Sequence, residues 1–171
     1  MNRYLLAILL VAGVAAQLAP HPFNVSPVAA IGLFAGALLR PRVAWLVPVA
    51  AMAISQFTTD FYPLPVLICV LTGMLAGPIL GRLCLSRQQS VTRFTGATLG
   101  AALSFYLISN FGIWLAGYYP ATWAGLVDCY LMGLPFLGRS LIGDLVYGAI
   151  LFGAWALAVE FRNNRGSGRF A

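Results

Sequence analysis

The sequence predicts an all-α integral membrane protein, a bundle of six transmembrane helices with both termini in the cytoplasm. Only 8% of the 171 residues are charged and 61% are hydrophobic, whereas a soluble domain carries about 25% charged residues. Six apolar runs follow one another along the chain, and a membrane span needs about 20 such residues. The ten basic residues are all arginines, and all except Arg139 lie at alternate connections between the runs.

The first apolar run, Tyr4 to Ala19, follows Arg3. A basic residue before an apolar run is also typical of a signal peptide. The residues before Pro20 form a poor cleavage site, so we interpret the run as the first span. Ala12 and Ala16 give it a face of small residues that suits close contact with another helix.

The second run, Val28 to Leu39, is short for a full span, which favours a tilted or partly re-entrant helix. It follows a loop with three prolines, residues 20–27, and ends at the basic turn Arg40–Arg42. The third run, Val43 to Phe57, contains Pro48, which predicts a kink in its helix.

The fourth run, Pro65 to Leu85, carries three glycines spaced four apart. On a helix they form one smooth stripe against which another helix can pack. The fifth run, Phe94 to Leu115, becomes polar towards its end, where Asn110 needs a partner inside the membrane. An aromatic connection, Ala116 to Pro135, is long enough for a short interfacial helix and precedes the sixth run, Phe136 to Val159.

With six spans, every arginine except Arg139 falls on one side of the membrane. Positively charged loops stay in the cytoplasm, so both termini are predicted there. A five- or seven-span count would scatter the arginines over both faces. The opposite, outer face carries the loops with His21 and Asp60 and the aromatic connection. The arginines on the cytoplasmic side are Arg3, Arg40, Arg42, Arg82, Arg87, Arg93, Arg162, Arg165 and Arg169.

Residues 1–160 are predicted to form one membrane domain, and the basic, glycine-rich residues 161–171 a disordered cytoplasmic tail. Six spans leave no room for a soluble catalytic or nucleotide-binding domain. The chain has no Walker-type loop, no HExxH motif and no Ser/His/Asp set. We therefore expect no enzyme activity and no intrinsic cofactor. The net charge of +6 reflects topology, so no nucleic acid is expected as a partner.

The loops predicted on the outer face collect polar and aromatic side chains that could contact a ligand. Aromatic residues are common where a membrane meets water, so an ordinary role at the interface stays open for each of them. Their concentration between residues 114 and 130 favours a lid or a pocket wall. The predicted ligand-binding residues of this face are Asp60, Tyr62, Asn110, Tyr118, Tyr119, Trp123, Asp128 and Tyr130.

Two ionisable residues, Arg139 and Asp144, lie in the sixth run. Ionisable residues inside a membrane are costly and are usually paired. These two are five residues apart and do not share a helix face well. Asp128 is a candidate partner for Arg139, and a structural ion pair that holds the sixth helix is the simplest interpretation.

Three cysteines, Cys69, Cys84 and Cys129, form no CxxC pair and no metal-ligand cluster with His21,. Each could simply be a small buried hydrophobic residue. Cys69 lies about one turn inside the fourth run, where a ligand entering from outside would meet it, and a thiolate is a soft ligand for a late transition metal. Cys129 is its competitor, whereas Cys84 lies at the cytoplasmic end.

The six-helix pattern with both termini inside resembles the S components of energy-coupling factor (ECF) vitamin transporters. The segments NVSPVAAIGLFAGALL, SNFGIWLAGYYPATWAGLVDCY and LPFLGRSLIGDLVYGAILFG are similar to a family of small, largely uncharacterised bacterial membrane proteins related to S components. The resemblance implies a multi-pass protein of the bacterial inner membrane. It also implies that a vitamin binds near the extracellular or periplasmic face, under the loops predicted on the outer side.

The resemblance extends to the solitary, cobalamin-specific S components, which use a cysteine as a ligand to the corrinoid cobalt. It implies that cobalamin is the transported ligand and that Cys69 is the metal ligand. It further implies that Ala12 and Ala16 contact an ECF coupling subunit that works with ATPases. Two alternatives stay open: transport of another small vitamin such as riboflavin, thiamine or biotin, or a non-transport membrane scaffold.

Overall fold

The computed structural model describes residues 28–50 and 62–167, together with Ala7, Val11 and Ala15. This part of the chain is helical and contains no strand, which confirms the predicted all-α class. Three of its helices are long and apolar enough to cross a membrane. The helices are α1 (Val28–Leu38), α2 (Pro41–Ala44), α3 (Leu64–Leu85), α4 (Val91–Leu115) and α5 (Trp123–Ser167).

Of the predicted first span, the structure describes only Ala7, Val11 and Ala15, which are helical. The second half of the third run lies outside the described residues. Residues 46–50, which belong to the third run, are helical. The short second run corresponds to α1, whose 11 residues extend for about 16 Å. That length is about half of the 30 Å hydrocarbon core of a bilayer. The structure therefore provides three membrane-length helices and one apolar half-length helix.

α3 is one helix built from three segments of different tightness. It begins after Pro63, with a proline in its first turn, where the missing N–H is not needed. Pro78 lacks the N–H that would bond the Met74 carbonyl. Just before it, the Leu75 N–H bonds a carbonyl three residues earlier instead of four, so one turn of the helix is tighter there. Its last turn, Gly81–Leu85, is π-helical.

Contacts between the long helices fix their relative directions. A Cβ atom on Gly133 of α5 would lie 2.6 Å from the Asn110 side chain of α4, and one on Gly148 would lie 2.6 Å from the Phe94 ring. α4 and α5 are therefore antiparallel. In the same way, α3 is antiparallel to α4, because Gly73 faces Phe105 whereas Cys69 faces Gly112.

α1 packs against the second half of α3 with its backbone in direct contact. A Cβ atom on Gly36 would overlap the carbonyl oxygen of Pro78, and one on Gly81 would overlap the carbonyl oxygen of Leu33. Gly77 lies against Ala29 and Gly32 of α1. Of the glycines predicted to form one packing stripe on the fourth run, Gly77 and Gly81 pack against α1, whereas Gly73 packs against α4.

An aromatic cluster joins α1, α4 and α5 at the same end of the bundle. The ring of Phe34 lies 5.2 Å from that of Phe152 and 6.3 Å from that of Trp155, both edge to face. Phe94 of α4 contacts Phe152 in the same geometry. Such pairs add about 0.5–1.5 kcal/mol each beyond the area they bury. The cluster is therefore the main side-chain core of this half.

α4 has one face for lipid and one for protein. Its first turn is capped by Ser90, whose hydroxyl accepts the Arg93 backbone N–H,. It ends at Gly117, whose φ of +83° is the left-handed conformation typical of a helix C-terminus. The buried face carries small residues such as Ala97 and Ala101. Its exposed apolar residues recur every four positions, at Leu99, Leu103, Leu107, Phe111 and Leu115.

α5 corrects the predicted boundary of the sixth span. The aromatic connection ends at Thr122, not at Pro135, and the helix continues unbroken through Pro135. The Thr122 hydroxyl accepts the Gly125 backbone N–H at 3.1 Å and caps the helix,. Prolines are tolerated inside membrane helices because neighbouring groups satisfy the freed carbonyl. At its other end α5 runs to Ser167, into the stretch predicted to be disordered.

The backbone contact between α1 and α3 leads to a prediction about stability. We expect Gly36→Ala to lower the free energy of unfolding by about 1–3 kcal/mol, because the added methyl group meets backbone that cannot move aside. The matched control is Gly96→Ala on α4, where a Cβ atom has no neighbour within 4 Å and the helix gains up to about 1 kcal/mol. Equal unfolding midpoints for the two variants in detergent would contradict the packing described here.

Candidate ligand-binding site

Those predicted ligand-binding residues that the structure describes lie towards the end of the bundle where α3 begins, α4 ends and α5 begins, here called the polar end. Cys69 and Pro65 of α3 both contact Gly112 of α4. The Trp114 indole donates to the carbonyl of Pro120 at 3.0 Å, which holds the turn between α4 and α5. These contacts bring the three helix ends together.

Polar side chains of α4 and α5 bond the backbone of the opposite helix. The Tyr106 hydroxyl donates to the Tyr130 carbonyl, and the Tyr130 hydroxyl donates to the Leu107 carbonyl at 2.8 Å. The Cys129 thiol donates to the Asn110 carbonyl at 3.3 Å. Polar groups within a membrane need partners in the protein, and these pairs provide them. Tyr130 and Cys129 thus have structural roles in joining the two helices.

Asn110 is buried between α4 and α5. Its amide nitrogen donates to the Tyr106 carbonyl one turn earlier, at 2.8 Å. Its amide oxygen faces Gly133, and a Cβ atom there would lie 2.6 Å away. Gly133 therefore makes room for the amide. It belongs to a series of glycines five residues apart, which do not share one helix face, so the sequence did not reveal this contact.

Cys69 is half-buried on α3 and packs against α4. A Cβ atom on Gly112 would lie 2.6 Å from the Cys69 Cβ and 3.1 Å from its sulfur. Cys129, the competing thiol, is only 1% exposed and already donates to a carbonyl. Of the two cysteines, Cys69 is thus the one whose thiol remains partly open to a ligand.

The remaining predicted residues surround the polar end with exposed side chains. Tyr62, before α3, is 45% exposed, and Tyr118 and Trp123 are 64% and 80% exposed. Asp128 is exposed and Tyr119 is half-buried. The structure places these residues near the helix ends but does not close them over the half-buried Cys69. Asp60 and the predicted partner contacts Ala12 and Ala16 lie outside the described residues.

Asp144 has a different partner from the predicted ion pair. It is only 3% exposed, and its carboxylate accepts a hydrogen bond from the backbone of Ala30, in the first turn of α1. The N–H groups of a first helical turn have no partner within the helix, and the helix dipole favours an acidic group there. Asp144 therefore caps α1 from a neighbouring helix.

Arg139 does not pair with Asp128, its predicted partner. It is exposed, whereas Asp144 points into the bundle. Asp128 lies on the same continuous helix, eleven positions earlier, which is about 16 Å along the axis. The Arg139–Asp128 pair is therefore excluded by the length of α5.

The described residues contain no group of three or more His, Cys, Asp and Glu side chains that could hold a metal ion.

The cap on α1 leads to a prediction with two variants of Asp144. Asp144→Leu removes the acceptor and leaves the Ala30 N–H buried without a partner, which costs about 1–3 kcal/mol. Asp144→Asn keeps an acceptor oxygen, so its free energy of unfolding should lie within about 1 kcal/mol of that of the original protein. Unfolding midpoints in detergent measure both effects. If the leucine variant were as stable as the asparagine variant, the cap would not contribute to stability.

Comparison with known proteins identifies a family for the chain. No curated protein matches the chain, and no solved structure does so. One family model matches residues 1–165, which include every helix described above except the last two residues of α5. The chain therefore belongs to the DUF6580 family, a family of unknown function.

Proposed function

We propose that the protein takes up a vitamin, binding it at the polar end and carrying it across the bacterial inner membrane. Cobalamin is the proposed ligand, with the Cys69 thiolate bonded to its cobalt. The observation that carries the proposal is the difference between the two ends of the bundle. One half is closed by backbone contact and aromatic packing, and the other carries the described residues predicted to bind a ligand, together with the half-buried Cys69 thiol.

The closed half is formed by α1, which contacts chiefly the Ala76–Leu85 part of α3. There Gly36 and Gly81 admit no added atom. At the polar end, Leu64–Met74 has its main contacts with α4, and these include Cys69 against Gly112. The polar end therefore lies away from the contact between α1 and α3, and it carries Cys69.

The proposed topology has six spans with both termini in the cytoplasm, and the directions of the helices support it. α1 and α5 are parallel, since Ala30 lies beside Gly148 whereas Phe34 packs on Trp155. α4 is antiparallel to both α3 and α5. A second, fourth and sixth span would share one direction and a fifth would have the opposite one. The polar end is then the outer end.

In this proposal the exposed residues around the polar end close over the bound ligand. Asp60, Tyr62 and the segment from Tyr118 to Tyr130 would contact the corrin ring and its amide groups. The chain holds no ATPase motif, so movement of the ligand needs a coupling subunit with ATPases or a tilting of the whole bundle. Ala12 and Ala16 are the proposed contacts for such a subunit.

A second candidate keeps the fold and changes the ligand to a smaller vitamin such as riboflavin, thiamine or biotin. The observation that favours it is the packing of Cys69 on Gly112, which accounts for a small sulfur-containing side chain at this position without a metal. Under this alternative, Cys69 fills space between α3 and α4.

A visible absorption spectrum separates the two candidates. The detergent-purified protein is incubated with cobalamin and desalted, alongside Cys69→Ala and the control Cys84→Ala. Cys84 is also a half-buried thiol of α3, about 22 Å further along the helix. We expect a retained and shifted corrinoid spectrum in the original protein and in Cys84→Ala. In Cys69→Ala, loss of the cobalt bond should weaken binding at least about tenfold.

If all three proteins retained the corrinoid, cobalamin would remain the proposed ligand, but Cys69 would not be bonded to its cobalt. Retention by none of them would exclude cobalamin. A panel of smaller vitamins, tested by quenching of tryptophan fluorescence, would then decide whether the second candidate holds.

A further inference from the structure

Arg139 is a charged side chain on an exposed face of an apolar helix. Its guanidinium is exposed, and it has no ion pair or hydrogen bond within the described part of the chain. Neighbours on the same face, one turn to either side, are Pro135 and Ile142. Both are exposed as well, so this face of α5 has no cover from the described helices.

The depth of Arg139 follows from the contacts between α4 and α5. Gly133 lies beside Asn110, and Gly148 lies beside Phe94, so Arg139 is level with the middle of α4. α4 has 25 residues, a length of about 37 Å. The Arg139 backbone is thus about 16 Å from the level at which α4 ends. Arginine side chains reach the membrane surface readily only from near helix ends.

None of the carboxylates that the structure describes can neutralise Arg139. The chain has four acidic residues. Asp128 is about three turns away, Asp144 is buried on another face, and Glu160 is about 31 Å further along α5. The fourth acid, Asp60, lies outside the described residues, four positions before the start of α3. A second copy in the same orientation would place its own arginine at this depth, and two like charges repel.

The surface beside Arg139 can accept a close neighbour. Gly138 is exposed, and a Cβ atom on it would have no atom within 4 Å. A glycine at such a position lets the backbone of another helix approach closely. We propose that this face of α5 binds a transmembrane helix of a different membrane protein, one that carries an aspartate or glutamate near mid-depth to pair with Arg139.

The test uses a defined helix in place of the natural partner. The full-length protein is labelled with a fluorescent donor and reconstituted in phosphatidylcholine vesicles. Two acceptor-labelled peptides of about 22 leucine and alanine residues carry either glutamate or glutamine at the centre. Energy transfer reports association. We expect the glutamate peptide to bind about tenfold more tightly than the glutamine peptide, since an ion pair is strong where water is excluded.

Two variants and one control show whether the preference depends on this face. Arg139→Leu should abolish the preference for glutamate, and Gly138→Leu should weaken binding of both peptides by blocking close approach. Arg93→Leu, in the first turn of α4, is the control and should leave the affinities for both peptides unchanged. Equal binding of the two peptides to the original protein would overturn the proposal. Energy transfer between two labelled copies that disappears in Arg139→Leu would also overturn it, because it would assign the face to a second copy.

Discussion

The backbone contact between α1 and α3 is the constraint on which the rest of the bundle depends. Gly36 and Gly81 bring two helices together without intervening side chains, which places α1 against α3 and α5 at one end only. Phe34 then reaches Phe152 and Trp155. In a membrane, where lipid tails are as apolar as leucine, such close packing replaces the hydrophobic effect as the source of helix association. The contact fixes α1 against α3, and the aromatic cluster fixes it against α5.

The second constraint is the need to satisfy polar groups in a medium without water. Tyr106, Tyr130 and Cys129 meet it by bonding carbonyls of the neighbouring helix. Asp144 meets it by capping α1. These side chains join helices that lipid would otherwise separate, so much of the polar content of the bundle has a structural role. Cys69 differs from them, because its sulfur packs against Gly112 and remains partly open.

Those features that depend on local pattern could be predicted from the sequence. Membrane character, the all-α class and the packing role of the glycines from Gly73 to Gly81 follow from composition and spacing. The predicted start of the sixth span, after Pro135, is wrong. Pro135 lies inside α5, and the helix begins after its capping residue Thr122. The bond from Asp144 to α1 and the place that Gly133 leaves for Asn110 could not be predicted, since each joins two helices and depends on how the helices are arranged in space.

The length of α5 has a mechanical consequence. Its 45 residues make a rod of about 68 Å, more than twice the hydrocarbon thickness of a bilayer. Such a rod acts as a lever: a tilt of about 10° displaces one end relative to the other by about 12 Å. α1 and α4 both contact α5 at Gly148 and Phe152. A small rotation of α5 at its first turn would therefore move the part that holds α1 by several ångströms.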